Sequence, residues 1–290
     1  MGYKKIENLY RDKTILSMFK ECYAMEKIHG TSSHIKFKDN KIIYFSGGAK
    51  YESFKEIFNE EELLNKYKEK FIDTEVTIYG EAYGGKMQGM SKTYGPNLKF
   101  VAFEVMIGDI WLNVPNAENV SKSFGLDFVD YVLIPTDIDS INAERDKDST
   151  QAIRNGMGNG HIREGIILRP VEEMFKSNGS RIMAKHKRPE FGETKTHREI
   201  SPEELKIIND ANAISNEWVT EMRLEHVLDG LIAEGILTHD YGMESTPQVI
   251  KAMVNDVYTE AKGEIIESKA TVTAIGKATA KLFKEKISKI

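Results

Sequence analysis

A chain of 290 residues can enclose one sizeable core, or one core and a small second domain, and its 40% hydrophobic and 29% charged content excludes a disordered or fibrous protein. The single cysteine, Cys22, excludes an intrachain disulfide and a multi-cysteine zinc cluster, and it suits a reducing compartment. The net charge of −5 is not the global signature of a nucleic-acid binder, but it is uneven: residues 201–290 hold 10 Lys and Arg against 15 Asp and Glu, whereas residues 1–200 balance at 30 of each.

Met1 runs directly into Lys4, Lys5 and Glu7, which argues against a secretory signal. No stretch approaches the roughly eighteen apolar residues of a membrane span, so a cytoplasmic protein without a membrane partner is expected. Residues 5–27 read as a short helix and then a strand approaching Lys27. His34 to Phe37 and Lys41 to Phe45 form a strand hairpin around Asp39-Asn40. Residues 51–70 carry Phe54, Ile57, Phe58, Leu63, Leu64 and Tyr67 among charges, which predicts one amphipathic helix.

Thr74 to Tyr79 reads as a strand ending at Gly80-Glu81, followed by a polar, glycine-rich loop over 83–97. Leu98 to Met106 is a buried strand, with a short strand near Trp111 after Gly108-Asp109. Helices are expected over 116–125 and 138–155, and strands over Arg163 to Arg169 and Arg181 to His186. The charged segment 187–200 contains Pro and Gly and reads as a linker. Ser201-Pro202-Glu203-Glu204 has the form of a capped helix start, and Pro247 opens a second helical run to about Glu267. The expected fold is α+β: a domain over 1–196 with antiparallel sheets, then a small all-helical domain over 197–290.

Lys27 lies in Glu26-Lys27-Ile28-His29-Gly30-Thr31, flanked by apolar Met25 and Ile28. A lysine attacks phosphorus only as the neutral amine, and burial or nearby positive charge favours that form. Gly30 lets backbone approach a ligand. The same six residues also describe an ordinary solvated lysine on a strand edge. Between 176 and 198, seven basic residues (Lys176, Arg181, Lys185, Lys187, Arg188, Lys195, Arg198) accompany only Glu190 and Glu193. A face for a polyphosphate and a solvated strand end explain that block equally well.

Five segments in order resemble the motifs of covalent nucleotidyltransferases, the superfamily of ligases and mRNA capping enzymes. They are Lys27-Ile28-His29-Gly30, Tyr79-Gly80-Glu81, Phe103-Glu104-Val105, Glu164 through Pro170, and Lys185-His186-Lys187 followed by Phe191. The His-Gly-Thr form is similar to the RNA ligase 2 family, typified by a bacteriophage T4 enzyme. Ile6-Glu7-Asn8 and Val219 through Leu224 share that likeness. The resemblance implies an ATP-grasp-like nucleotidyltransferase domain and an ATP-dependent ligase working with Mg2+ or Mn2+.

In that reading Lys27 takes AMP from ATP, and Glu26, Ile28, Glu81 and Phe103 line the nucleotide pocket. Phe103 stacks on adenine and Glu81 accepts from a ribose hydroxyl. Glu164 orients Lys27 or holds a metal's waters, and His29 serves ligation. Lys185 and Lys187, two apart on a strand, project to one face toward the same phosphate. Arg188 and Arg223 are expected to contact nucleic acid. The implied partner is nicked duplex RNA or an RNA/DNA hybrid, bound by a monomer. The bland readings are a core ring for Phe103, surface charges for Glu81 and Glu164, and a lysine-protected edge strand for 185–187.

Three departures from the pattern stand out. No arginine occurs in Tyr44-Phe45-Ser46-Gly47-Gly48, where the family places one, leaving Lys50 or Lys86 as substitutes. Arg169 stands where lysine is common, and Glu104 where the T4 enzyme has aspartate. A DNA ligase or capping enzyme shares the lysine motif but carries a β-barrel after the fifth motif, whereas this tail reads as helical. An inactive, ligase-derived module that binds nucleic-acid ends is the non-enzymatic alternative.

Overall fold

The computed structural model describes residues 3–71, 74–192 and 210–288. The chain divides into two compact units, Met1–Arg188 and Pro189–Ile290. The expected boundary between residues 196 and 197, and the helix start at Ser201 to Glu204, lie outside the described residues.

The first unit begins with helix α1 (Thr14–Met18) and strand β1 (Glu21–Lys27). Strands β2 (Thr31–Lys38) and β3 (Lys41–Ser46) form the expected hairpin. Asp39 and Asn40 take φ of 50° and 57°, the left-handed pair that matches a two-residue turn to strand twist. The single helix expected over 51–70 is two, α2 (Tyr51–Lys55) and α3 (Glu60–Lys70). The break has a local cause: the Asn59 side chain accepts from the Glu62 N–H and starts a new helix.

Strand β4 (Val76–Tyr83) does not stop at Gly80-Glu81 but runs through them. Its pairing with β5 (Lys99–Ile107) shifts register between Tyr79 and Gly80. A Cβ on Gly80 would lie 2.3 Å from the Val101 carbonyl oxygen, so this glycine serves close packing at a bulge and not chain reversal. Helix α4 (Ser91–Tyr94) interrupts the loop expected over 83–97. Strand β6 (Ile110–Trp111) and helix α5 (Val114–Ser123) follow as expected.

Strand β7 (Tyr131–Pro135) has no counterpart among the sequence-based expectations. The helix expected over 138–155 is again a pair, α6 (Ile138–Arg145) and α7 (Thr150–Arg154), capped by Asp137 and Ser149. Strands β8 (Gly165–Pro170) and β9 (Ala184–Lys187) complete the unit. One antiparallel sheet has the order β7-β1-β8-β9 and the other β3-β2-β4-β5-β6. Ile35, Phe37, Val76, Ile78 and Val105 of the second sheet pack with Phe54, Tyr67 and Phe124 into the main core.

The second unit, among its described residues, is helical: α8 (Ala211–Trp218), α9 (Glu221–Ala233), α10 (Thr246–Glu260) and α11 (Lys269–Ile287). Its core is built on Trp218, Leu224, Leu228, Met253, Val257, Ile275 and Phe283. Among the described residues no helix is long and apolar enough to cross a membrane.

Candidate active site

Sheet register brings the motif lysines together. Lys27 on β1 pairs with Gly165 on β8, and Gly165 pairs in turn with Lys187 on β9. Residues directly paired share a sheet face, so the two lysines flank a position that has no side chain. A Cβ on Gly165 would meet the His186 carbonyl oxygen at 2.3 Å, which makes glycine a packing requirement there.

Glu164, one residue before this row, is fully buried and fills the gap with its carboxylate. Its Oε2 lies 2.9 Å from Lys27 Nζ and 3.2 Å from His29 Nδ1, and its Oε1 lies 2.8 Å from Lys187 Nζ. Burial would raise the pKa of this carboxyl, but Lys187, Lys27 and His29 outweigh it and hold the group well below the usual carboxylate range. Lys27 keeps 23% of its side chain exposed, so its amine is both tethered and reachable.

Glu81 on β4 receives the Gly30 N–H, and burial pushes its carboxyl up to about 7. A Cβ on Gly30 would stand 2.3 Å from the Ala82 carbonyl oxygen and 3.0 Å from Glu81 Cγ. The turn after Lys27 therefore presses directly on the strand that bears Glu81. His29 is buried, and its N–H donates to the Tyr94 hydroxyl at 3.3 Å.

The other expected pocket residues are placed differently. The Glu26 carboxylate points away from Lys27 along the strand alternation and accepts from Ser149 Oγ at 2.5 Å and Gln151 N–H at 3.1 Å. Burial raises its pKa. The Ile28 side chain belongs to the main core. A nucleotide can meet these two residues only through their backbone. Phe103 is partly buried, and its ring meets Tyr3 edge-on at 5.1 Å between centroids. Lys185 shares the Lys187 face, and its backbone bonds Glu7 and Leu9.

A second charged cluster was not foreseen. Glu104 on β5 is buried against Arg169 Nη1 at 2.9 Å, Arg181 and the Tyr3 hydroxyl. Glu173 binds both arginines, at 3.0 Å from Arg169 Nε and 2.9 Å from Arg181 Nε. Arg181 also lies over the Trp111 ring at 4.3 Å. Burial would raise the Glu104 pKa, but Arg169 and Arg181 carry it below the usual range. Arg169 thus ties β8 to β5. The one available signal was two arginines and two glutamates at 169, 181, 104 and 173, and their distance in sequence hid the pairing.

The basic block does not offer a free cationic face among its described residues. Lys176 pairs with Asp12, Arg181 with Glu104 and Glu173, and Lys187 with Glu164. Arg188 donates to the Asp146 carbonyl at 3.0 Å, while Lys195 and Arg198 lie outside the described residues. Arg223, expected at a nucleic-acid surface, is 1% exposed. Its Nε donates to the Trp218 carbonyl at 2.9 Å and its Nη1 meets Asp256 Oδ2 at 2.5 Å, so the guanidinium joins helices and is not presented to solvent.

Among the described residues no group of three or more His, Cys, Asp or Glu side chains is placed to hold a metal ion. An Mg2+ or Mn2+ ion held mostly by phosphate oxygens and water needs only one protein carboxylate, and the ionised Glu164 fits that requirement. Two lysines flanking a buried carboxylate, with a second carboxylate at a glycine turn, also fit a nucleoside polyphosphate.

The sequence profile of the RNA ligase family matches residues 20–187. No curated protein matches the chain significantly. Among solved structures, the chain is similar to a Naegleria gruberi RNA ligase with PPi, at TM-score 0.51 and 13% identity over 66% of this chain and 57% of that one. Two mutants of the same ligase with ATP and Mn match at TM-scores of 0.51 and 0.52, with 13% and 12% identity over the same shares. The match therefore spans a little over half the length of that ligase and shows a shared fold.

Proposed function

Because the chain belongs to the RNA ligase family, we propose that it is an ATP-dependent ligase joining 3′-hydroxyl and 5′-phosphate ends of RNA through a lysyl-AMP on Lys27. The observation that carries this reading is the single buried carboxylate, Glu164, that holds Lys27, His29 and Lys187 around one point.

The chemistry follows from that arrangement. A phosphate monoester has no good leaving group, so the 5′ end must be activated. Lys27 Nζ, having given up its proton, attacks the α-phosphorus of ATP; the N–P bond forms and the P–O bond to pyrophosphate breaks. Glu164 fixes the amine's position, and Lys187 and Lys185 offset the charge that grows on the phosphate oxygens. The AMP then passes to the 5′-phosphate, regenerating Lys27, and attack by the 3′-hydroxyl expels AMP. Glu164 would hold a divalent ion, whose chemistry is to polarise the phosphate. Glu81 accepts from the ribose, Phe103 and the backbone of Glu26 and Ile28 bound the adenine, and His29 acts in ligation.

The finer reading is an RNA ligase 2 type of enzyme with an ATP-grasp-like catalytic domain. Its substrate is a nick in duplex RNA or an RNA/DNA hybrid, selected by A-form shape and 2′-hydroxyls. Arg188 borders the nucleic acid, and the helical region after residue 196 helps to place the ends.

A second reading, an inactive end-binding module, draws on the Tyr44–Gly48 stretch. An added Cβ at Gly47 or Gly48 would lie 3.0 or 3.1 Å from Thr31 Oγ1, so an arginine there would require the Thr31 side chain to shift by a few tenths of an ångström. Mass spectrometry after incubation with ATP and magnesium separates the two. The ligase reading expects a gain of one AMP that disappears in Lys27→Ala. No adduct with any divalent ion would favour the module.

A further inference from the structure

The second unit is acidic as a whole, yet its charges are segregated by helix. Between Asp210 and Glu267 the acidic residues are 210, 217, 221, 225, 229, 234, 240, 244, 256, 260, 264 and 267, against only Arg223, Lys251 and Lys262. Helix α11 reverses this: Lys269, Lys277, Lys281, Lys284 and Lys286 stand against one acid, Glu285.

Four of these lysines, at 269, 277, 281 and 284, are exposed and fall within about a third of the helix circumference at 100° per residue. The opposite side of α11, with Thr271, Ile275, Thr279 and Phe283, is buried. Lys286 is set apart, because it pairs with Glu225. No ion pair engages Lys269, Lys277, Lys281 or Lys284 among the described residues. Ala270, Thr273 and Ala280 lie between them, so small side chains leave the ammonium heads unobstructed.

The helix's own stability does not explain the stripe. A lysine in the last turn complements the helix dipole, which accounts for Lys284. Lys269 stands in the first turn, where the dipole opposes a cation, and Lys277 and Lys281 are beyond the reach of either end.

We propose that the exposed lysine stripe of α11 is the track by which the helical unit grips the phosphodiester backbone of the RNA to be sealed. This rests on the ligase reading for the identity of the nucleic acid. From Lys269 to Lys284 the stripe runs about 22 Å at 1.5 Å per residue. That length matches on the order of six nucleotides of one strand. The only aromatic side chain of α11, Phe283, is buried, so the face has nothing on which to stack a base. It contacts phosphates without reading sequence, and the acidic remainder of the unit repels nucleic acid elsewhere. The buried Arg223 plays no part in it.

The full-length chain with K269Q, K277Q, K281Q and K284Q combined tests this against nicked RNA duplex at several salt concentrations. Each lost phosphate contact flattens the slope of log K against log salt by about 0.7–0.9, so the variant's slope should fall by about 3. The same four positions changed to Arg should restore it. The AMP adduct on Lys27 is measured in parallel and should be unchanged. Unaltered affinity and slope in the glutamine variant would overturn the proposal, as would a loss confined to vesicles containing phosphatidylserine. Absence of an adduct in the wild-type chain would overturn the ligase reading alone, because the salt slope is read without turnover.

Discussion

The first unit buries Glu164 and Glu104 among cations, and the difference between these two is instructive. Glu164 is held by Lys27, Lys187 and His29, whereas Glu104 is held by Arg169, Arg181 and the Tyr3 hydroxyl. Lysine and histidine can release a proton, and a lysine on a flexible stem can turn from one anion to another. Arginine does neither at ordinary pH, and its planar fork suits a fixed bidentate contact. The first cluster is therefore able to exchange its carboxylate for a phosphate. The second is a clamp between β8 and β5, reinforced by Glu173 on both arginines.

Removing each carboxylate should break the molecule in different ways. Glu104→Gln leaves Arg169 and Arg181 with Glu173 as their one remaining shared anion, and should cost about 3 kcal/mol of stability in chemical denaturation. The folded fraction should still accept AMP on Lys27. Glu164→Gln should slow adduct formation on the order of 100-fold, followed by mass spectrometry over time. Its loss of stability should be the smaller of the two, because Lys27 can swing into solvent. If Glu104→Gln abolished the adduct at full stability, the clamp would belong to the chemistry and the contrast would fail.

Gly165→Ala probes the spacing of the reactive row. Its methyl would meet the His186 carbonyl oxygen and Lys187 Cα, at 2.3 and 2.7 Å. The expected cost is about 1–3 kcal/mol in thermal or denaturant unfolding. Adenylation should fall as well, since β9 must shift and carry Lys187 with it. An unchanged rate in the folded variant would mean that Lys187 needs no fixed position.

The smallest effect expected is in pH dependence. Burial raises the Glu81 pKa from 4.5 in the unfolded chain to about 7. Its proton therefore stabilises the folded state fully below pH 4.5, and that stabilisation is lost as the pH rises through 7. Glu164 has the opposite sign: its lowered pKa contributes stability above 4.5 that is lost as pH falls through the folded value. Glu81→Gln should flatten the wild-type decline in stability between pH 4.5 and 7. A decline that persists in this variant would assign it to another group.

Elements governed by neighbours in sequence were readable. The Asp39-Asn40 hairpin needs only a left-handed pair between two apolar runs, and it forms as expected. Helical character was expected over 51–70, from apolar periodicity, and over 138–155. The breaks were not, because the caps at Asn59 and Ser149 compete with a pattern that continues past them. Strand β7 escaped notice because its partner, β1, is over a hundred residues away, and a five-residue edge strand carries little pattern of its own. Gly80 reads as a strand end in sequence and serves in the sheet to let β4 pass close to Val101.

The sequence by itself determined that the chain has an α+β part and a helical part, and its five ordered segments pointed to Lys27, Glu164 and Lys187. Residue type and order suffice for that, since nucleophile, carboxylate and cation are properties of single side chains. Tertiary structure decided which charges meet. Lys27 faces Glu164 across 137 positions because β1 and β8 pair in one register, and a slip of one residue would turn the lysine to the other face of the sheet. It also decided that Arg169, Arg181 and Arg223 are structural cations. Burial and a fixed anionic or carbonyl partner, which no local pattern encodes, remove a guanidinium from the surface where a phosphate would find it.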